Sequence, residues 1–338
     1  MLLLGDNAYN KVIARDEPKL KLWTSAGLML TYKCPARCEC CYYNCSPDKG
    51  GIMSVETAIA GWRGLIGIAG ENAKIHITGG EPFLYYDLLC EILRKADELK
   101  LGRVDVVETN AYWAIDENEI IARLDFLNRH NVSKIKISYD PFHAEFVDFD
   151  KVELLYKTAC RVLGIERVML RWLDYFNAPP KLSELSVEQK MSVFADSHKK
   201  YKCRFTGRAA GKMAQFLANK EVEQISTENC RKSFLDSKSV HIDPDGNVFN
   251  GVCSGIVIGN IKKTPLNEIW RNFNPAKQEL LNVLFNSGPA GLLESAIKYG
   301  YKKCRLYSGK CHLCTDLRQF FFDNGLFGQI ISPKECYN

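Results

Sequence analysis

Short apolar runs of strand character alternate with amphipathic, helix-length stretches from about residue 26 to residue 206. The runs are 28–32, 74–78, 103–107, 134–138, 167–172 and 203–205, rich in Ile, Val and Leu. Between them, apolar residues recur with helical period near 54–69, 86–99, 116–130, 150–163 and 186–200. Ser54 opens the first of these helices with Thr57 at its third position. Asp116 followed by Glu119 predicts a capping box for the third. Six strands separated by five helices call for parallel pairing with right-handed crossovers, which makes the class α/β. Two closures fit, a partial (β/α)6 barrel and an open doubly wound sheet, and periodicity does not choose between them.

After Gly211 the alternation stops. The stretch 238–249 reads as a hairpin turning at Asp245–Gly246, and helices are expected near 266–273, 278–284, 292–299 and 315–324. Cysteines punctuate this part at 230, 253, 304, 311, 314 and 336. The chain therefore divides into a segment 1–24, an α/β unit 25–211 and a smaller, cysteine-rich extension 212–338. The opening apolar run, MLLL, is too short for a signal peptide, and no later stretch reaches transmembrane length. A cytoplasmic location with no membrane partner is expected. Fourteen cysteines in such a chain point to metal or redox chemistry rather than disulfides. A net charge of +5, with no long basic tract, gives no reason to expect nucleic-acid binding.

The chemistry starts in the loop after the first strand, at Cys34-Pro-Ala-Arg-Cys38-Glu-Cys-Cys41. Three thiolates in eight residues can ligate three irons of a cubane and leave the fourth open to a ligand. A zinc site and a set of buried cysteines are the alternatives. Cys40 competes with Cys41 on spacing, and Cys45 is a further thiol nearby. The second signal, Thr78-Gly79-Gly80-Glu81-Pro82, follows the second strand directly. Its glycines allow close approach to bare backbone, and Glu81 offers a carboxylate to a cationic amine. Both motifs lie at the carboxyl edge of the strands, where α/β folds bind ligands.

A CxxxCxxC loop after strand one with GGEP after strand two resembles the radical S-adenosylmethionine (SAM) superfamily over roughly residues 25–210. The resemblance implies a partial (β/α)6 barrel. It also implies a [4Fe–4S] cluster on Cys34, Cys38 and Cys41, with SAM chelated to the open iron and its amine held by Gly79, Gly80 and Glu81. Asn110, Ser138, Asp140 and Arg171, at the ends of later strands, would meet the ribose hydroxyls and the methionine carboxylate. His143 is a substrate-side candidate at the same edge. The cofactors supply the difficult step, reductive cleavage of SAM to a 5′-deoxyadenosyl radical that takes a hydrogen from substrate. A low-potential electron donor of flavodoxin or ferredoxin type is implied.

The extension is similar to SPASM or twitch domains. Cys230 and Cys253 flank the expected hairpin, and Cys311-His-Leu-Cys314 supplies two more thiols, enough for a second, fully ligated [4Fe–4S] cluster. Cys304 and Cys336 are possible substitutes. The usual second cysteine falls at position 251 in such domains, where this chain has Gly251. Cys45-Ser46-Pro47, the Tyr139-Asp140-x-x-His143 stretch and the late CxxC resemble peptide epimerases acting on ribosomally made peptides. Those enzymes carry a hydrogen-donating cysteine beside the hairpin ligand, whereas here Ser254 follows Cys253. If Cys304 or Cys336 held the cluster instead, Cys253 would be free to donate. The expected substrate is a peptide, with epimerisation, oxidation or coupling as outcomes; a small-molecule substrate and a non-catalytic iron–sulfur carrier are the alternatives.

Overall fold

The computed structural model describes residues 1–338 apart from Val252, Cys304 and Arg305. Its centre is an eight-stranded sheet formed by β1 (Ser25–Met29), β2 (Lys74–Thr78), β3 (Val104–Thr109), β4 (Ile135–Ser138), β5 (Val168–Arg171), β6 (Ser239–Ile242), β7 (Asn247–Asn250) and β8 (Val257–Asn260). The spatial order is β5-β4-β3-β2-β1-β6-β7-β8. Strands β1 to β5 run parallel in simple sequence order. They are linked by α1 (Val55–Ala69), α2 (Tyr86–Glu98), α3 (Glu117–Arg129) and α4 (Phe149–Leu163), and α5 (Val187–Lys200) follows β5. With right-handed crossovers and no reversal of order, every connecting helix falls on the same face. That is a partial barrel; a doubly wound sheet needs a switch point.

Alternation along the strands divides the two faces. Ile75, Ile77, Val107, Ile135 and Ile137 are fully buried on the helix side. His76, Glu108 and Lys136 alternate with them and point the other way. Ser54 caps α1 through Thr57 N–H, and Asp116 caps α3 through Glu119 N–H at 2.8 Å. The Glu119 side chain turns to Arg123, so the expected capping box is only half made.

Two expectations are corrected. The first strand lies three residues earlier than 28–32. Leu30 to Lys33 leave the ladder to pair with the returning cysteine loop, with bridges from Thr31 to Ile52 and from Lys33 to Ser46. The sixth strand expected at 203–205 does not form. Cys203 N–H turns back to His198 Nδ1 at 3.4 Å, and just beyond the segment the Thr206 hydroxyl donates to Tyr42 O and Ala209 N–H to Cys41 O. The neighbour that β1 gains is β6, parallel to it in register from Ser25↔Ser239 to Leu28↔Ile242.

The hairpin at 239–250 turns at Gly246, whose φ of +81° suits glycine. Because β6 pairs with β1, the extension continues the barrel's own sheet. Gly27 sits between His76 and His241 in register, and a Cβ there would lie 2.2 Å from His241 Cδ2. Its bare backbone lets the two imidazoles meet across β1, Nε2 to Nε2 at 3.1 Å. The later helices are α6 (Arg208–Ala214), α7 (Leu266–Asn272), α8 (Glu279–Asn286), α9 (Gly288–Lys298) and α10 (Lys310–Asp323). α10 starts five residues before the expected 315, which puts Cys311 and Cys314 in its first turn. Among the described residues no helix is long and apolar enough to cross a membrane.

Candidate active site

The carboxyl ends of β2 to β5 meet the cysteine loop that follows β1 in one pocket. Cys34, Cys38, Cys41, Gly79, Gly80, Glu81, Asn110, Ser138, His143 and Arg171 all line it. Asp140 is fully buried beside His143, at 2.8 Å between Oδ2 and Nδ1. The structure thus brings the sequence-predicted residues of the first site together.

N–H groups aim at the sulfurs. Asn110 Nδ2 lies 3.5 Å from Cys34 Sγ, and Cys45 N–H lies 3.3 Å from Cys41 Sγ. Burial and the nearby Glu81 carboxylate push the Cys34 thiol up to about 12, and burial also raises Cys38. Cys41 goes the other way, to about 6, through a hydrogen bond from the Cys45 thiol and, after the opposing effect of burial, the charge of Arg208. Buried, mutually repelling thiols gain most from a cation that takes up their charge as thiolates. This donor set therefore fits an iron–sulfur cluster. Cys40 is committed elsewhere: its thiol hydrogen-bonds Cys203, and it groups with Asp140 and His143 within 4.8 Å.

The GGEP edge is built differently from the simplest reading of its glycines. A Cβ on Gly79 would lie 2.7 Å from Thr31 O, and one on Gly80 would lie 2.0 Å from Lys33 O. Gly80 N–H donates to Thr31 O and Glu81 N–H to Lys33 O. The bare backbone is filled by the chain's own cysteine loop, which is how the two motifs are locked side by side. Glu81 is fully buried and accepts from Phe83 N–H, Thr109 Oγ1 and Asn110 N–H at 2.7–3.1 Å. Burial nevertheless pushes its carboxyl up to about 7, so it has unmet demand for a cation.

Asp140 caps the short helix Pro141–Ala144, accepting from Phe142 and His143 N–H. Burial would raise its carboxyl, but His143 and Arg171 hold it below the ordinary value. Occupied in this way, Asp140 is a positioning group for His143. His143 faces the pocket rather than solvent, with its side chain 15% exposed. Arg171 is placed beside Ser138 by the β4–β5 register and stacks on Trp172 at 4.1 Å.

Sequence reasoning undervalued the segment after α5. Gly207, at φ +55°, passes so close to Tyr42 O that a Cβ would lie 2.6 Å from it. This crossing lets Arg208 reach into the loop. Its guanidinium donates to Cys38 O, Cys45 O and Asn44 Oδ1 at 2.6–2.9 Å. No spacing in the sequence names the loop that Arg208 reaches.

In the extension, burial raises Cys230, and Cys314, Cys253 and Cys311 add to the shift in that order. Cys253 is pushed up to about 12 by burial, with Arg318 opposing and Cys311 and Cys314 adding smaller pushes. The four thiols thus feel one another as a group would around one cluster. Cys336 lies 3.7 Å from Tyr32 Oη, beside Asp243, and Cys304 lies outside the described residues. Gly251 has φ +55°, a conformation that disfavours cysteine at that position. Ser254 donates to Tyr42 O at 2.5 Å, which ties the Cys253 loop to the Cys41 loop.

Comparison with known proteins adds three findings. Residues 230–315 match the SPASM family, described as an iron–sulfur cluster-binding domain. A stretch of 134 residues, 38% of this chain, is 28% identical to a putative peptide biosynthesis protein, YydG, of Bacillus subtilis, and spans 40% of that relative's length. Among solved structures, BtrN in complex with AdoMet and 2-DOIA aligns at 17% identity and TM-score 0.49 over 80% of this chain and 90% of that one. A histidine-tagged anSMEcpe with bound AdoMet aligns at 15% identity and TM-score 0.43 over 89% and 93%. The three-cysteine loop locked to the GGEP edge thus stands ahead of a segment, 230–315, that matches an iron–sulfur cluster-binding family.

Proposed function

We propose that the chain cleaves SAM reductively and modifies a peptide through a carbon radical. The observation that carries this reading is the convergence of Cys34, Cys38, Cys41 and the charge-hungry Glu81 on one pocket. When bound, a reduced [4Fe–4S] cluster and SAM supply the chemistry: one electron breaks the C5′–S bond, and the resulting radical takes a hydrogen atom from substrate. Cys34, Cys38 and Cys41 would hold the cluster. Glu81 would accept the methionine amine, with Gly79 and Gly80 fixing its backbone. Asn110 and Ser138 would meet the ribose, Arg171 would face the methionine carboxylate, and Asp140 would orient His143 toward the pocket. Cys230, Cys253, Cys311 and Cys314 would enclose the auxiliary cluster. The name of the Bacillus subtilis relative favours a peptide over a small molecule.

The test is anaerobic turnover. Reconstituted, reduced protein should convert SAM to 5′-deoxyadenosine and methionine. The Cys34→Ala/Cys38→Ala/Cys41→Ala variant should not, yet should keep about four irons in the auxiliary site. Undiminished cleavage by the triple variant would show the site to be misassigned. An iron-free, zinc-loaded triple variant would make the extension a structural zinc domain.

A further inference from the structure

The residues at 202–205, the last three of them expected as a strand, lie as a loop against the polar face of the sheet. They help to enclose a second cavity that shares Cys40, Tyr42, Glu108, Lys136 and Arg171 with the reaction pocket. The charges in this cavity do not cancel. Glu108 is the only carboxylate lining it, and it is already engaged by Lys136 Nζ and Thr78 Oγ1, each at 2.9 Å. His76 and His241 are kept neutral by burial. That leaves Arg171, which acts on the Asp140 carboxylate from a distance, and Lys202 and Arg204, which have no carboxylate partner within 4.0 Å among the described residues. Two of the three are pre-oriented: Arg171 lies over Trp172 at 4.1 Å and Arg204 over Tyr42 at 5.1 Å. A stacked guanidinium loses less freedom on binding and presents its fork to a planar anion. Lys202 and Arg204 are exposed at the outer side of the cavity.

We infer that Lys202 and Arg204 form a docking site for carboxylate groups of an acidic peptide substrate, at the entrance to a cationic cavity that opens on the reaction pocket. This rests on the peptide-modifying reading above and narrows its substrate class. Arg171 lines both cavities, so an anion held by Lys202 and Arg204 would leave a neighbouring residue of the same peptide near the reaction pocket.

The test uses reconstituted protein and fluorescein-labelled probe peptides, read by fluorescence anisotropy without SAM or reductant. Hexaglutamate amide should bind about tenfold or more tightly than hexaserine amide, and the preference should shrink as salt rises. Hexaserine with a free carboxyl terminus separates the two sources of carboxylate: if it binds like hexaglutamate amide, the terminal group is what docks; if like hexaserine amide, side chains are. Lys202→Ala/Arg204→Ala should abolish the preference, whereas Lys298→Ala/Lys302→Ala, removing two exposed lysines elsewhere, should retain it. Lys202→Glu/Arg204→Glu should reverse it in favour of hexalysine amide, a result that misfolding would not produce. Equal binding of acidic and neutral probes, or an undiminished preference in the double alanine variant, would overturn the inference. SAM cleavage measured on the same preparations reports separately on the radical reading: its failure with the acidic preference intact would strike the proposed reaction and leave the docking site standing.

Discussion

Replacing Arg208 with alanine removes three donations at once, to Cys38 O, Cys45 O and Asn44 Oδ1. Hydrogen bonds from a charged donor contribute roughly 1.5–3 kcal/mol each. Arg208 is partly exposed, so water would replace some of that, and a net loss of about 2–4 kcal/mol is reasonable. The loss falls on the ordered form of the cysteine loop, and corresponds to about 30- to 1000-fold in its equilibrium. Iron retention against a chelator is the assay, because a loop that visits disordered states releases its metal. Arg208→Ala should lose the iron of the first site faster by a factor in that range and keep the auxiliary iron. Arg208→Lys keeps the charge but not the fork, so it should fall between alanine and wild type. A second readout follows from Cys41, which stands at about 6 partly through Arg208. In the apo protein, the pH at which Cys41 becomes reactive to iodoacetamide should rise in Arg208→Ala and stay nearly unchanged in Arg208→Lys. Wild-type iron retention together with an unmoved Cys41 profile would refute the clasp.

Three further outcomes are expected. Cys40→Ser should preserve SAM cleavage and Cys41→Ser should abolish it, since Cys40 is tied to Cys203; the reverse result would reassign the third ligand. Glu81 has a folded value of about 7, above its ordinary 4.5, so the folded state binds the extra proton and stability falls as pH rises between those values. Glu81→Gln should remove a fall of up to about 3 kcal/mol from chemical denaturation curves across that window, and should also remove a gain in SAM affinity over the same rise in pH. Gly27→Ala places a methyl group 2.2 Å from His241 and 2.4 Å from His76. It should cost about 1–3 kcal/mol in a denaturation midpoint measurement, and an unchanged midpoint would argue against the imidazole contact across β1.

Local patterns carried much of this molecule. Each of the five expected helices of the barrel is present, because its apolar period and flanking polar residues act within the segment itself. The Cys34 and Glu81 motifs were legible for the same reason: each is a short turn at a strand end. The missing strand at 203–205 was not, because its composition is strand-like, and what draws the chain off the sheet edge is contact of the following residues, Thr206 and Ala209, with Tyr42 and Cys41. Nor could the pairing of β6 with β1 be read, since a hairpin states its internal register and not the strand beside it. Arg208 is the same case at the site. Its fork reaches a loop more than 160 residues earlier in sequence, and no spacing rule spans that distance.

The pairing of Ser25 with Ser239 also has a consequence for synthesis. Of the two neighbours of β1, β6 is made 214 residues after β1 itself (239 − 25). At ~5–20 residues per second, that edge stays unpaired for roughly 10–40 s. Throughout that interval the apolar β1, with Leu28 and Met29 fully buried in the finished fold, has β2 on one edge and nothing on the other. Chains held at this length are the form most exposed to wrong pairing with one another. The residues that close the cysteine loop, 206–209, emerge within the same interval, so that loop closes only after all five parallel strands β1 to β5 have been made. Slowing translation beyond residue 211 should lengthen the vulnerable period, and shortening that period or supplying a chaperone that covers strand edges should raise the yield of iron-loaded protein.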